Sequence, residues 1–226
     1  MSKKAVISGD IIAFTSLADA AKNQLEAELK QLFETLQTHF DTFSRLIKGD
    51  YLECAVPQPE HSLRIALLIK TFIKSRDLAA KTSRHKYFEE YGIRLAIGYG
   101  ELSRYNPEKG IIDGEAIYLS GRRINEESTH NKERVTIKNT LLFIAEDEAL
   151  NQRFEALFAL IDFMIIKATR RQCEVAYHKL LGTSEEEIAN LLGTSQPAVN
   201  QHSTGIGWNA IEKAILYYEQ TLKQLK

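Results

Sequence analysis

The chain has 226 residues, a formal net charge of −1, 44% hydrophobic and 26% charged residues, a balance that excludes a disordered polymer. That length predicts one core domain with a smaller appendage, and the near-zero charge excludes a global pull toward nucleic acid, so any such binding must come from a local patch. Only Cys54 and Cys173 carry thiols, far apart and in apolar or helical contexts, which points to a reducing compartment rather than a disulfide scaffold. No long apolar run follows the first residues, and the most apolar later stretch, 156–166, contains Asp162 and is too short to span a bilayer. The expectation is a cytoplasmic protein without a membrane partner.

Ala5, Val6 and Ile7 form the first apolar run, which ends at Ser8-Gly9 before Asp10 opens a second run, Ile11-Ile12-Ala13-Phe14. Apolar residues without polar alternation predict a strand buried on both faces. A carboxylate at the end of such a strand needs a cation, a donor cluster or water. Ala18, Ala21, Leu25, Leu29, Leu32, Leu36, Phe40 and Phe43 then recur at steps of three and four, predicting a long helix over 19–43 with one buried stripe. Gly49-Asp50 falls between two short apolar runs, which predicts a hairpin turn carrying a second carboxylate. A helix over 60–76, a polar connector over 81–91 and a strand over 93–100 follow. This order is βαββαβ, a ferredoxin-like α+β arrangement in which both helices pack on one face of an antiparallel sheet. A loop at 106–110, a helix over 114–125, a strand over 141–145 and a helix over 146–165 extend it. Asp10 and Asp50, borne on different turns, suit a shared hard cation, since Mg²⁺ is typically held by one or two carboxylates plus substrate phosphates.

Four blocks, Gly9-Asp10-Ile-Ile-Ala-Phe-Thr15, Gly49-Asp50, Ile93-Arg-Leu-Ala-Ile-Gly98 and Gly114-Glu-Ala-Ile-Tyr-Leu-Ser-Gly-Arg122, resemble in order the signature blocks of class III nucleotidyl cyclase catalytic domains. The whole chain is similar to the SatD-like bacterial proteins, which join such a domain to a C-terminal helix-turn-helix. The resemblance implies that Asp10, Asp50 and the backbone carbonyl of Ile11 are metal ligands for Mg²⁺. It also implies that Arg122 steadies a transition-state phosphate. Phe14 and Thr15, in the Asp10 block, and Lys48, one residue before Gly49, are candidate nucleotide contacts. Two positions depart from the pattern. Active family members have asparagine where this chain has Tyr118, and a purine-selecting lysine or glutamate where it has Leu46. Loss of a transition-state donor and of the base reader argues against ordinary cyclisation. Taken singly, a Gly-Asp turn is more often only a turn, Arg122 suits a solvated helix face, and Lys48 suits an exposed hairpin.

Over 183–202, Ser184 with Glu187 forms a capping box, and Gly193 suits the left-handed residue past a helix end. Thr194 can cap the next helix, and Pro197 falls in its first turn. Ala189, Gly193 and Val199 stand at helix-turn-helix spacings, which places Ser195, Gln196, Asn200 and Gln201 toward base edges in the major groove of double-stranded DNA. Arg170, Arg171 and Lys179 are phosphate-contact candidates, although from 167 onward seven basic residues face six acidic ones. A single copy should therefore bind DNA weakly. Trp208, Ile211, Ile215, Tyr218, Leu222 and Leu225 follow a heptad seam, suited to docking within the chain or to a homodimer. The resulting division is a cyclase-like domain over 1–165 and a helix-turn-helix domain with a C-terminal dimerisation helix over 166–226. The first functional expectation is a DNA-binding transcriptional regulator with a degenerate domain sensing a nucleotide and Mg²⁺. The alternatives are an active Mg²⁺-dependent nucleotidyl cyclase or other phosphoryl-transfer enzyme, and a protein-interaction module.

Overall fold

The computed structural model describes residues 3–80, 82–129 and 139–225. In chain order the first elements are β1 (Lys4–Ile11), α1 (Asp19–Phe40), β2 (Phe43–Leu46), β3 (Tyr51–Val56), α2 (Ser62–Lys74), α3 (His85–Tyr91) and β4 (Ile93–Gly100). They are followed by the short strands β5 (Arg104–Asn106) and β6 (Ile111–Asp113), then α4 (Glu115–Thr129), β7 (Leu141–Ala145) and α5 (Glu148–Lys167). Four further helices complete the chain: α6 (Arg170–Leu180), α7 (Glu185–Leu191), α8 (Gln196–Ile206) and α9 (Trp208–Lys223).

β1 is the centre of the sheet, and its run Ala5-Val6-Ile7 is buried on both faces as its unbroken apolar sequence requires. It pairs antiparallel with β3 on one side and β4 on the other. β2 lies outside β3 and β7 lies parallel outside β4, giving the order β2-β3-β1-β4-β7. The first four of these strands, with α1 and α2, form the expected ferredoxin-like βαββαβ unit. The helical stripe of α1, Ala21, Leu25, Leu29, Leu32 and Leu36, is buried in one core with Ala5, Ile7 and Ile11. The helix ends earlier than expected because Asp41 turns left-handed at φ 53, which leaves Phe43 to start β2. α2 is buried almost throughout, since the sheet covers one side and the C-terminal helices cover the other.

The connector over 81–91 is not simply a solvated loop. From His85 it forms α3, which docks through the single buried residue Phe88.

α4 covers the opposite face of the sheet, against Val6, Ala55 and Ala96. Its close approach depends on Gly98, where an added Cβ would lie 2.1 Å from the Ala116 carbonyl oxygen and 2.9 Å from the Ser120 nitrogen. Both are backbone atoms, so the helix itself would have to move. Gly98→Ala is therefore expected to destabilise the fold by about 2 kcal/mol, as overpacking typically does. Urea denaturation checks this, and an unchanged midpoint would show that α4 is not seated as described.

α6, α9 and the end of α8 share the main core rather than standing apart. Cys173 and Leu180 of α6, and Trp208, Ile211, Ile215, Tyr218 and Leu222 of α9, are buried together with α2 and α5. Tyr218 packs against Phe143, Phe154 and Phe158, and its hydroxyl lies 2.7 Å from the Ser62 Oγ. Arg64 Nε donates to Glu219 at 2.8 Å. The heptad stripe of α9 is thus covered within its own chain, except for the exposed Leu225.

Candidate functional site

Asp10 and Asp50 come together although they are forty positions apart. Antiparallel pairing of β1 with β3 sets Asp10 opposite Tyr51, and the Ile11 N–H donates to the Asp50 carbonyl at 2.8 Å. Gly49, at φ 64, makes the turn that presents Asp50. The period-two alternation of β1 places Val6, Ser8 and Asp10 on the α4 face, where the Ser8 Oγ lies 2.8 Å from the Ser120 Oγ. On the other neighbour Arg94 stands directly opposite Asp10, with its Nη1 3.6 Å from the Asp10 Oδ2.

Burial pushes the Asp10 carboxyl up to about 6; the Arg94 guanidinium pulls against this, and the nearby Asp50 charge adds to it. Two like charges held this close fit a hard cation, which would relieve their repulsion. Among the described residues no group of three or more His, Cys, Asp or Glu side chains gathers. Further ligand oxygens would therefore come from backbone, such as the Ile11 carbonyl, or from a bound molecule.

The loop after β1 folds back through Ala13, whose left-handed φ of 55 is unusual for a residue with a side chain. This brings Phe14 over the Asp50 turn, with its ring 3.4 Å from where a Gly49 Cβ would stand. Thr15 and Lys48 are both exposed, Thr15 beside Phe14 and Lys48 on the turn itself. Arg122 is also exposed and lines an open groove on α4 with Ile117, Tyr118 and Gly121. Among the described residues no ion pair joins it to either aspartate. Tyr118 is 64% exposed and donates its hydroxyl to Asp113 at 2.6 Å, while Leu46 packs on the main core.

Two residues of this site went unread in the sequence. Arg94 had a usable signal, a charge inside the apolar run Ile93-Arg-Leu-Ala-Ile97, but only strand register shows that it meets Asp10. Tyr51 had no signal; its partner Ser8 lies on another strand.

At the other end, Val175, Ile188, Ala189 and Val199 form a small three-helix core. The Ser184–Glu187 capping box is present, and Gly193 is left-handed at φ 59. The cap of α8 is Ser195 rather than Thr194, without a side-chain hydrogen bond, because the Thr194 N–H closes the preceding turn onto the Ala189 carbonyl. Ser195, Gln196, Asn200 and Gln201 are all exposed. The arginines before them are already paired, Arg170 with Asp77 and Arg171 with Glu174 at 2.7 Å. Lys179 is likewise held by Glu185 at 3.0 Å.

Neither a family model nor a curated protein matches this chain. Solved structures of similar shape include two of a bacterial light-regulated adenylyl cyclase. One is 15% identical over 68% of this chain and 79% of its own, at a TM-score of 0.42. The other is 14% identical over 62% of this chain and 42% of its own, at 0.39. Likenesses at this level add nothing to the strand order and site geometry above. No helix of the described residues is long and apolar enough to cross a membrane.

Proposed function

We propose that this protein is a DNA-binding regulator whose sheet domain holds a nucleotide with Mg²⁺ at Asp10 and Asp50 and whose α7–α8 unit reads duplex DNA. The observation that carries the reading is the approach of Asp50, on the Gly49 turn, to Asp10 near the end of β1. Phe14 over the Asp50 turn and the exposed Thr15 and Lys48 offer an aromatic face, a hydroxyl and a cation to a nucleotide. The exposed amides of Gln196, Asn200 and Gln201 suit adenine edges. Because Arg170, Arg171 and Lys179 are spent on acidic partners, duplex affinity calls for a second copy that doubles the phosphate contacts.

A mobility-shift assay on genomic fragments, with and without ATP or GTP and Mg²⁺, tests this. A selected fragment should shift, the nucleotide should alter its affinity, Asp10→Asn should erase that effect, and Gln201→Ala should change sequence preference. If no fragment shifts at low salt, the α7–α8 unit binds protein instead. The same converging carboxylates favour phosphoryl transfer as a second reading, with Arg122 as the charge-stabilising group. Cyclic nucleotide formed by the wild type and lost in Asp10→Asn would make that the primary function.

A further inference from the structure

We infer that Arg94 stands in for a second cation beside Asp10, so that the pocket takes one divalent ion per chain and offers Arg94 to an anionic group of the molecule bound with it. The inference rests on the cation reading of Asp10 and Asp50 given above and adds what that site selects.

Three observations carry it. Strand register sets Arg94 and Asp10 directly opposite one another, so the alternation of β1 and β4 aims both side chains to the same face. Their closest approach of 3.6 Å is an ion contact longer than a hydrogen bond, which leaves the Asp10 oxygens open to a ligand. Arg94 is only 8% exposed, and its Nε has no hydrogen-bond partner. A buried guanidinium with an unmet donor, whose Nη1 has only an ion contact to Asp10, is under-satisfied, and an oxyanion beside Asp10 would give it an acceptor.

Charge points the same way. Two carboxylates against one guanidinium leave a single negative charge, which one divalent ion turns into a single positive one. A second ion would meet a neighbour that cannot shed its proton. A phosphate group can accept from the Arg94 guanidinium at Nη1, the nitrogen that faces Asp10, while also facing the ion, so the preferred ligand is a phosphate ester carrying one metal.

Counting bound Mn²⁺ by electron paramagnetic resonance on the full chain tests this, with ATP as the anionic probe. The wild type should bind one Mn²⁺. Arg94→Met, which keeps the stem and removes the charge, should bind Mn²⁺ alone roughly tenfold more tightly, because a nearby repulsion is gone. It should bind ATP with Mn²⁺ more weakly, whereas Arg94→Lys should stay close to the wild type in Mn²⁺ affinity. Two ions on the wild type would overturn the inference, and so would an unchanged Mn²⁺ affinity in a folded Arg94→Met. If Arg94→Met does not fold, the wild-type count decides. No Mn²⁺ on the wild type would remove the cation reading itself, and the inference with it. One ion, lost in Asp10→Asn but indifferent to Arg94→Met, would remove the inference alone.

Discussion

Asp10→Asn should make the protein more stable in EDTA at pH 7.5, by about 3 kcal/mol. The carboxyl is pushed from 3.8 up to about 6 by burial, with Arg94 only partly offsetting this and Asp50 adding to it. Each unit corresponds to roughly 1.4 kcal/mol between protonation states, and the side chain is 30% exposed. The folded pKa lies above the unfolded one, so the native state binds the extra proton. The cost of the charged form is absent below about pH 3.8, grows between there and pH 6, and is complete above it. The stability gap between variant and wild type should therefore close near pH 3.5 and open by pH 7. Urea denaturation at both values measures it. Added Mn²⁺ should narrow the gap at pH 7.5 by stabilising only the wild type. Equal midpoints in EDTA at pH 7.5 would mean that Asp10 is an ordinary solvated strand residue.

Lys70→Met should have the opposite and larger effect, a loss of about 3–5 kcal/mol. The Lys70 side chain is fully buried and its ammonium lies 3.3 Å from the Asp162 carboxylate. It donates to the Thr140 Oγ1 at 2.6 Å and to the Ile93 carbonyl at 2.9 Å, and Thr140 in turn donates to Asp162 at 2.7 Å. Burial pulls the lysine below its ordinary pKa while Asp162 opposes that shift. Removing the ammonium alone leaves a buried carboxylate whose charge is uncompensated. The double variant Lys70→Met/Asp162→Leu should recover a large part of the loss, since a paired charge replaced by apolar side chains is often nearly neutral. A double variant no more stable than Lys70→Met would show that the loss comes from packing rather than from the orphaned charge.

The sheet was readable because its strands carry period and punctuation. The run from Ala5 to Ile7 marks β1, and Gly49-Asp50 sits between apolar stretches, so the strand and the second turn are legible. The break expected at Ser8-Gly9 does not occur: β1 runs on through Asp10 to Ile11 because Gly9 and Asp10 stay in register with β3 and β4. The stripe of α1 was readable for the same reason, although its end depended on the left-handed turn at Asp41, which no periodicity announces. α3 was hidden because only Phe88 anchors it, and one aromatic among charged neighbours makes no pattern. Lys70 stood inside an apolar stripe, but what holds it is contributed by Thr140 and Asp162, seventy and ninety-two positions away. Arg94 was visible as an oddity in a strand, and its meaning waited on register. In each case the readable part is local repetition, and the unread part is a partner brought in by the fold.

The hydroxyl bridge from Tyr218 to Ser62 reaches across 156 positions, and the Arg64–Glu219 pair beside it across 155. A fragment cut at 165/166 would strip Trp208, Ile211 and Tyr218 of their cover and leave Glu219 without its arginine. Work on the α7–α8 unit must therefore use the intact polypeptide. Any coupling between Asp10 and that unit would run through the packed helices α2, α6 and α9, and not through the swing of a tethered head.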